Sequence, residues 1–244
     1  MKIWGATDKG KMRSNNQDYF LTEHLFEGRL SLSVVCDGMG GASGGHVASR
    51  MAADIFIDTV RETEKPPVPS KNMKKLLKDA LERANAQVYE KSITSAGLAG
   101  MGTTLVALAY AQGAAMIANV GDSRAYLIDE GGIRRITKDH SVVEEMVMSG
   151  AITEAQARTH AEKNLITRAL GTEPDVEADY YEHTPQAGQY ILLCTDGLSN
   201  LVTEQEMLFE VIHDGNVDSC CQRLIGIAND RGGYDNITVV LWAF

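Results

Sequence analysis

The sequence predicts an α+β layered sandwich, and three observations carry that prediction. Its strand-like runs are close neighbours joined by short turns, which suits antiparallel pairing, since a parallel crossover needs about a dozen residues or more. Its helical periodicities fall in groups rather than alternating one for one with strands, which argues against a doubly wound parallel sheet. Its 244 residues, 44% of them hydrophobic, fit one large domain or at most two small ones and are enough for a sizeable core.

Strands are expected at 2–7, 18–25 and 29–36, where β-branched and apolar residues alternate or run on. From Ala48 the residues Met51, Ala52, Ile55, Phe56 and Val60 recur at helical spacing. After a cap at Ser70, so do Met73, Leu76, Leu77, Ala80, Leu81, Ala84 and Val88. Pro66, Pro67 and Pro69 separate these two helices. Lys71, Lys75 and Lys78 share a helical face and read as a solvated face rather than a basic binding patch. Further strands are expected at 102–110, 114–120, 124–129 and 133–137, with Gln112-Gly113 and Glu130-Gly131-Gly132 as hairpin turns. Ser141-x-x-Glu144, Thr153-x-x-Gln156 and Thr203-x-x-Glu206 have capping-box spacing, so three more helices begin there. Strands follow at 180–184, 190–195 and 237–242. Gly150 and Gly215 fit helix ends, and Asp218 fits the cap of a last helix running to about Asn229. No composition shift marks a boundary, so 1–244 reads as a single domain.

Charge narrows the class. The chain has 33 acidic and 23 basic residues, a formal charge of −10, which argues against nucleic acid or an anionic membrane as the main partner. The start MKIWGATDKG has no apolar signal core, and the longest apolar run, Leu105 to Ala111, is far short of the ~20 residues of a membrane span. A cytoplasmic protein is expected, and with no coiled-coil pattern a monomer. Cys36 and Cys194 lie in strand-like runs, Cys220 and Cys221 are adjacent, and no CxxC pair exists. They read as reduced, buried thiols, and none has a basic neighbour that would make it a nucleophile.

The stretch SVVCDGMGG at 33–41 sets an acid directly after the run Val34, Val35, Cys36 and before a glycine cluster. A desolvated carboxylate needs a partner, so the position asks for a cation or a dense set of donors. The pattern returns twice. Ile191 to Thr195 runs into Asp196-Gly197, and Gly232-Gly233-Tyr234 runs into Asp235-Asn236 before the last strand. Asp122, in NVGDSRAY, sits between two strands. Asp37, Asp122, Asp196 and Asp235 are 85, 74 and 39 residues apart, so a shared site must be assembled by the fold, which excludes a linear calcium loop. A single strand-end Asp-Gly reads as an ordinary turn. Several that converge would repel by ~4 kcal/mol per pair at ~4 Å and an effective dielectric of ~20, and divalent cations would compensate. Carboxylates with no histidine or cysteine beside them suit Mg²⁺ or Mn²⁺ better than Zn²⁺. Glycine after the acid would remove a side chain from the metal's approach and let a backbone carbonyl or ligand come close. In KMRSNNQDY, Arg13 alone reads as a surface residue; beside a carboxylate metal site its planar fork becomes a phosphate anchor. His24, His46, His140, His160, His183 and His213 have no ligand-like spacing and are expected to bind no metal.

Eight motifs in order complete the pattern: RSNNQD (13–18), VVCDGMGG (34–41), GTT (102–104), NVGDSRAY (119–126), DHS (139–141), NLITRALG (164–171), LLCTDGL (192–198) and GGYDNITVV (232–240). Over nearly the whole chain the sequence resembles the PPM family of metal-dependent protein phosphatases, the type 2C serine/threonine phosphatases, in their minimal bacterial form. The resemblance implies a four-layer α-β-β-α sandwich with two central antiparallel β-sheets and a Mn²⁺ or Mg²⁺ centre of at least two ions between the sheet ends. Asp37 matches the acid that bridges both metals, Gly38 the glycine whose carbonyl binds the second, and Asp196 and Asp235 the other ligands of the first. Asp122 matches the acid that, with Asp196, holds a third, weaker ion in bacterial members. Arg13 matches the phosphate-binding arginine, Asp18 the acid that orients metal-bound water, and Asn236 a residue behind the ligands.

The activity implied is hydrolysis of phosphoserine and phosphothreonine on phosphorylated proteins, opposing a serine/threonine kinase. Water bridging two metals ~3.5–4 Å apart would attack phosphorus in line, with no covalent phosphoenzyme. This sequence departs from the family at two places. Gln17 stands where many members have Glu, and Met39 where animal members have the histidine thought to protonate the leaving group. The segment at about 141–165 corresponds to the family's variable flap, which either sets substrate preference or only covers a sheet edge. Three rival readings are a phosphoprotein-binding pseudophosphatase, a regulatory phosphatase with one substrate, and a hydrolase of small phosphate esters.

Overall fold

The protein's apolar runs become the strands of two antiparallel sheets, each covered on its outer face by helices, in a computed structural model that describes residues 1–62, 71–213 and 216–244. In chain order the elements are β1 (Lys2–Asp8), β2 (Asp18–Leu25), β3 (Leu30–Met39), α1 (Gly41–Arg61), α2 (Lys71–Thr94), β4 (Gly102–Thr103), β5 (Leu105–Ala111), β6 (Ala114–Val120), β7 (Arg124–Asp129) and β8 (Gly132–Arg135). Then follow α3 (Val142–Met148), α4 (Glu154–Ala157), β9 (Asp179–His183), β10 (Tyr190–Cys194), α5 (Asp196–Ser199), α6 (Glu204–Ile212), a 3-10 turn (Val217–Ser219), α7 (Cys220–Asp230) and β11 (Ile237–Ala243). The first sheet runs β1-β11-β10-β7-β8 and the second β2-β3-β5-β6-β9, with β4 also paired to β3. The fold is the expected α+β, four-layer α-β-β-α sandwich.

The layering explains why β3 and β11 are apolar without alternation. Leu32, Val34 and Cys36 face Phe56, Val60, Leu77 and Leu81 of the α1–α2 layer, while Val35 faces the other sheet. Val239 and Leu241 pack on Met207, Val211 and Leu224 of α6 and α7, while Val240 and Trp242 point back between the sheets. Both faces of both strands are dry, and each such side chain contributes about 1.5–3 kcal/mol by burial. Buried Trp242 also donates its Nε1–H to Ser33 Oγ at 2.9 Å across the sheet interface.

Several local expectations are corrected. Helix α1 begins at Gly41, ahead of the Ala48 where periodicity becomes visible. A Cβ on Gly45 would lie 2.5 Å from the Gly38 carbonyl oxygen, so glycine lets the first turn rest against the β3 backbone despite its poor helix propensity. The run expected at 102–110 is split into β4 and β5 at Thr104, whose N–H bonds Asp37 O at 2.9 Å. Thr153 and Thr203 form full capping boxes. Ser141 accepts from Glu144 N, but the box stays half-made because Arg135 takes the Glu144 carboxylate at 2.6 Å. Asp218 is not a cap: it lies in the 3-10 turn and accepts from Trp4 Nε1, and α7 starts at Cys220. Gly150, at φ 74°, follows the end of α3 as expected. Lys75 and Lys78 are exposed and paired with Asp79 and Glu82, a solvated face. Ser70, Pro66, Pro67, Pro69 and Gly215 lie outside the described residues. All four cysteines are buried and free. No helix among the described residues is long and apolar enough to cross a membrane.

Candidate active site

An open cleft of about 430 Å³ collects residues from five distant stretches: Arg13 from the loop before β2, Asp37 and Gly38 from the end of β3, Asp122 from the β6–β7 turn, Asp196 from the start of α5 and Asp235 from the turn before β11. Gln17, Met39, Thr104, Asn164 and Ile166 complete much of the wall. Asp18 does not line it. It is buried opposite Asp37 in the β2–β3 pair, where one carboxylate oxygen accepts the hydroxyls of Thr195 at 2.8 Å and Thr238 at 2.7 Å.

Backbone contacts bring the acids together. The Asp37 N–H donates to Thr104 Oγ1 at 2.9 Å, and Thr104 Oγ1 shares a hydrogen bond of 2.7 Å with Ser123, the neighbour of Asp122. Gly197 lets α5 press against the segment carrying Asp235 and Asn236, since a Cβ there would stand 1.9 Å from Asn236 O. The glycines after Asp37 and Asp196 therefore serve close backbone approach. For Gly38, a Cβ would meet Gly45 O at 2.0 Å. The close approach of a backbone carbonyl expected at these glycines is thus present at both.

The loop at 9–17 is pinned by Asn236. Its Oδ1 accepts from Gln17 N at 2.7 Å, and its Nδ2 donates to Lys9 O at 2.8 Å and Asn15 O at 3.0 Å. Gln17 sends its side-chain amide to Gly41 O at 2.7 Å, tying the loop to the start of α1. Arg13, held in this loop, donates from Nη2 to Asp235 Oδ2 at 2.7 Å.

Electrostatics show how strained the acid cluster is as a set of bare charges. Burial, then the charges of Asp18, Asp196, Asp122 and Asp235, hold the Asp37 carboxyl well above its ordinary pKa. Burial first and Asp235 second push Asp196 up to about 6. Burial raises Asp18 to about 7 even against its two threonine hydroxyls. Asp122 is raised by burial, Asp196 and Asp139, with Arg124 opposing. Among the described residues no three of these side chains stand together at the spacing of ligands on one ion. Their chemistry nonetheless fits a hard divalent cation. The donors are oxygens only, they repel one another, and Asp196 Oδ1 and Asp18 Oδ1 are buried with no hydrogen-bond partner.

The family model described as Protein phosphatase 2C matches residues 9–224. The chain belongs to the protein phosphatase 2C family. This 2C phosphatase is 38% identical over 237 residues to the serine/threonine phosphatase stp of Listeria monocytogenes, covering 96% of this chain and 92% of that one. It superimposes with a TM-score of 0.92 on the serine/threonine phosphatase of S. agalactiae, at 35% identity and 98% coverage of both chains. The catalytic domain of the phosphatase PstP, solved in complex with two manganese ions, matches at a TM-score of 0.85 and 32% identity over 98% of this chain and 96% of that one. The protein is accordingly a metal-dependent serine/threonine phosphatase.

Sequence reasoning passed over part of this 2C phosphatase's site. Thr195 and Thr238 were hidden as ordinary strand residues, although Thr195 directly precedes Asp196 and Thr238 lies two residues after Asn236. Asp139 and His140 were visible only as the motif DHS. Buried Asp139 takes the Arg124 guanidinium at 2.6–3.0 Å, and His140 bonds the backbone of Gly121. Together they grip both flanks of Asp122.

Proposed function

We propose that the chain removes phosphate from phosphoserine and phosphothreonine in proteins by direct attack of water, and that it opposes a serine/threonine protein kinase. The observation that carries the reading is the convergence of Asp37, Asp122, Asp196 and Asp235 on one cleft with Arg13 at its edge. Asp37, Gly38, Asp196 and Asp235 would hold two Mn²⁺ or Mg²⁺ ions, and Asp122 with Asp196 a third, weaker one. When bound, these ions supply activation of the attacking water and neutralise the phosphoryl oxygens.

The chain's own groups do the rest. Arg13 binds the phosphate dianion through its fork of donors. Asp18, buried behind the cleft opposite Asp37, is oriented by Thr195 and Thr238 and fixes the arrangement around Asp37. Met39, whose end lies near Gly102, carries no ionisable proton and so does not protonate the leaving alkoxide. Asn164 and Ile166, at the end of the flap at about 141–165, line the cleft, which supports a part in substrate choice. The reading extends to a single catalytic domain over 1–244 that works as a cytoplasmic monomer, with no nucleic-acid partner.

The test is phosphate release from a phosphothreonine peptide and from small phosphate esters, in EDTA and with Mn²⁺ or Mg²⁺, beside Asp196→Ala. Metal-dependent release that prefers the peptide and vanishes in the variant supports the proposal. Inert wild-type protein with metal, or a clear preference for small esters, overturns it.

A further inference from the structure

We infer that His140 is a positioning residue that fixes the turn carrying Asp122, and thereby tunes the weaker cation site at that edge of the cleft; the inference rests on the ligand role proposed for Asp122. Gly121, at φ 99°, meets His140 through both its backbone N–H and its carbonyl, and the carbonyl also accepts from Asn119 Nδ2 at 3.4 Å. Gly121 N–H donates to His140 Nδ1 at 3.1 Å, and His140 N–H donates to Gly121 O at 2.9 Å. The imidazole is buried, at 7% exposure. Accepting at Nδ1 assigns its proton to Nε2, which faces Asp179 Oδ2 at 3.4 Å and Arg168 Nη1 at 3.5 Å. Burial lowers the His140 pKa, which favours the neutral ring that can accept.

The other flank of Asp122 is held independently, by Ser123 on Thr104 and by Arg124 on Asp139. Loss of the His140 ring contact therefore loosens the Gly121 N–H alone, while the Gly121 carbonyl keeps its bonds from His140 N–H and Asn119 Nδ2, and shifts the Asp122 carboxylate without unfolding the turn. His140 O also accepts from Thr167 N at 2.8 Å, and Arg168 faces Asp179, so the end of the flap is tied to the same residue. What matters in this geometry is an acceptor at the Nδ1 position. Asparagine places its Oδ1 close to that point, whereas glutamine carries its oxygen an atom further out.

The experiment is calorimetric titration of Mn²⁺ into the metal-stripped full chain, comparing wild type with His140→Asn, His140→Gln and Asp122→Asn, with melting temperatures in EDTA alongside. We expect Asp122→Asn to remove the weakest binding event, His140→Gln to weaken that event about tenfold while leaving the tighter ones unchanged, and His140→Asn to bind as wild type. A weakest event that survives Asp122→Asn overturns the ligand role of Asp122 and the inference with it. A weakest event lost in Asp122→Asn but untouched in His140→Gln overturns the inference alone. So does a His140→Asn variant that binds like His140→Gln or fails to fold.

Discussion

Arg13 Nη2 and Asp235 Oδ2 are joined at 2.7 Å although 222 residues separate them in sequence. The pair thus links the proposed phosphate anchor to a proposed metal ligand. Just over half of the Arg13 side chain is exposed, and exposed ion pairs are worth only about 0–1 kcal/mol. The bond is weak enough to yield when a phosphate dianion competes for the guanidinium.

Arg13→Ala should therefore act mainly on substrate binding. Losing hydrogen bonds to a charged group costs about 1.5–3 kcal/mol, roughly ten- to a hundredfold in KM for a phosphothreonine peptide, with a smaller fall in kcat. Steady-state kinetics at saturating Mn²⁺ separate the two. A KM like the wild type's, with kcat alone reduced, would rule out the anchoring role.

The acid cluster predicts an unusual pH dependence in the metal-free protein. Burial and mutual repulsion raise the folded pKa of Asp196 to about 6 and of Asp18 to about 7, from 3.8, and lift Asp37 and Asp122 as well. Between the unfolded and folded values the native chain binds protons that the unfolded chain has released. Stability is then fully present below about pH 4 and falls as pH rises through 6 to 7. In EDTA the melting temperature should drop by about 5 °C or more from pH 5 to pH 8, and saturating Mn²⁺ should flatten that slope. Melting curves that stay level or rise over this range in EDTA would contradict the electrostatic picture.

The acids themselves were the most legible part of the sequence, because a carboxylate following an apolar run is costly and rare. Most strands were legible for a related reason: burial on both faces left continuous runs in β3, β5 and β11 with turn residues between. What stayed hidden depends on contacts between distant backbones. The start of α1 could not be read because Gly44 and Gly45 carry no periodicity. Asp218 looked like a cap until Trp4, 214 residues away, claimed its carboxylate. His140 offered no local sign that its backbone N–H and its Nδ1 would both meet Gly121.

Two glycines should respond oppositely to the same substitution. A Cβ at Gly197 meets the backbone oxygen of Asn236 at 1.9 Å, so Gly197→Ala must push apart the segments that carry Asp196 and Asp235. It should cost about 1–3 kcal/mol and most of the activity. Gly226 lies within α7 with nothing within 4 Å of its Cβ position, so Gly226→Ala should stabilise by about 0.5–1 kcal/mol and leave turnover unchanged. Urea unfolding of both variants measures the contrast, and a Gly197→Ala protein as stable as wild type would show that α5 can shift freely.

Asn236 should matter to catalysis through Arg13 rather than through metal. Its amide orientation is fixed by its partners, because Gln17 N–H can only donate and the Lys9 and Asn15 carbonyls can only accept. Asn236→Ala leaves those three backbone groups without their side-chain partner and lets the loop at 9–17 drift. Asn236→Asp is worse, because a carboxylate oxygen then faces two carbonyls. Both variants should raise KM for a phosphopeptide, Asp more than Ala, and kcat should fall less. If the effect passes through the loop, adding Arg13→Ala to Asn236→Ala should raise KM little beyond Arg13→Ala alone, since the anchor that Asn236 steadies is already gone. Fully additive losses in that double-mutant cycle would mean that Asn236 acts on the cleft by a route independent of Arg13.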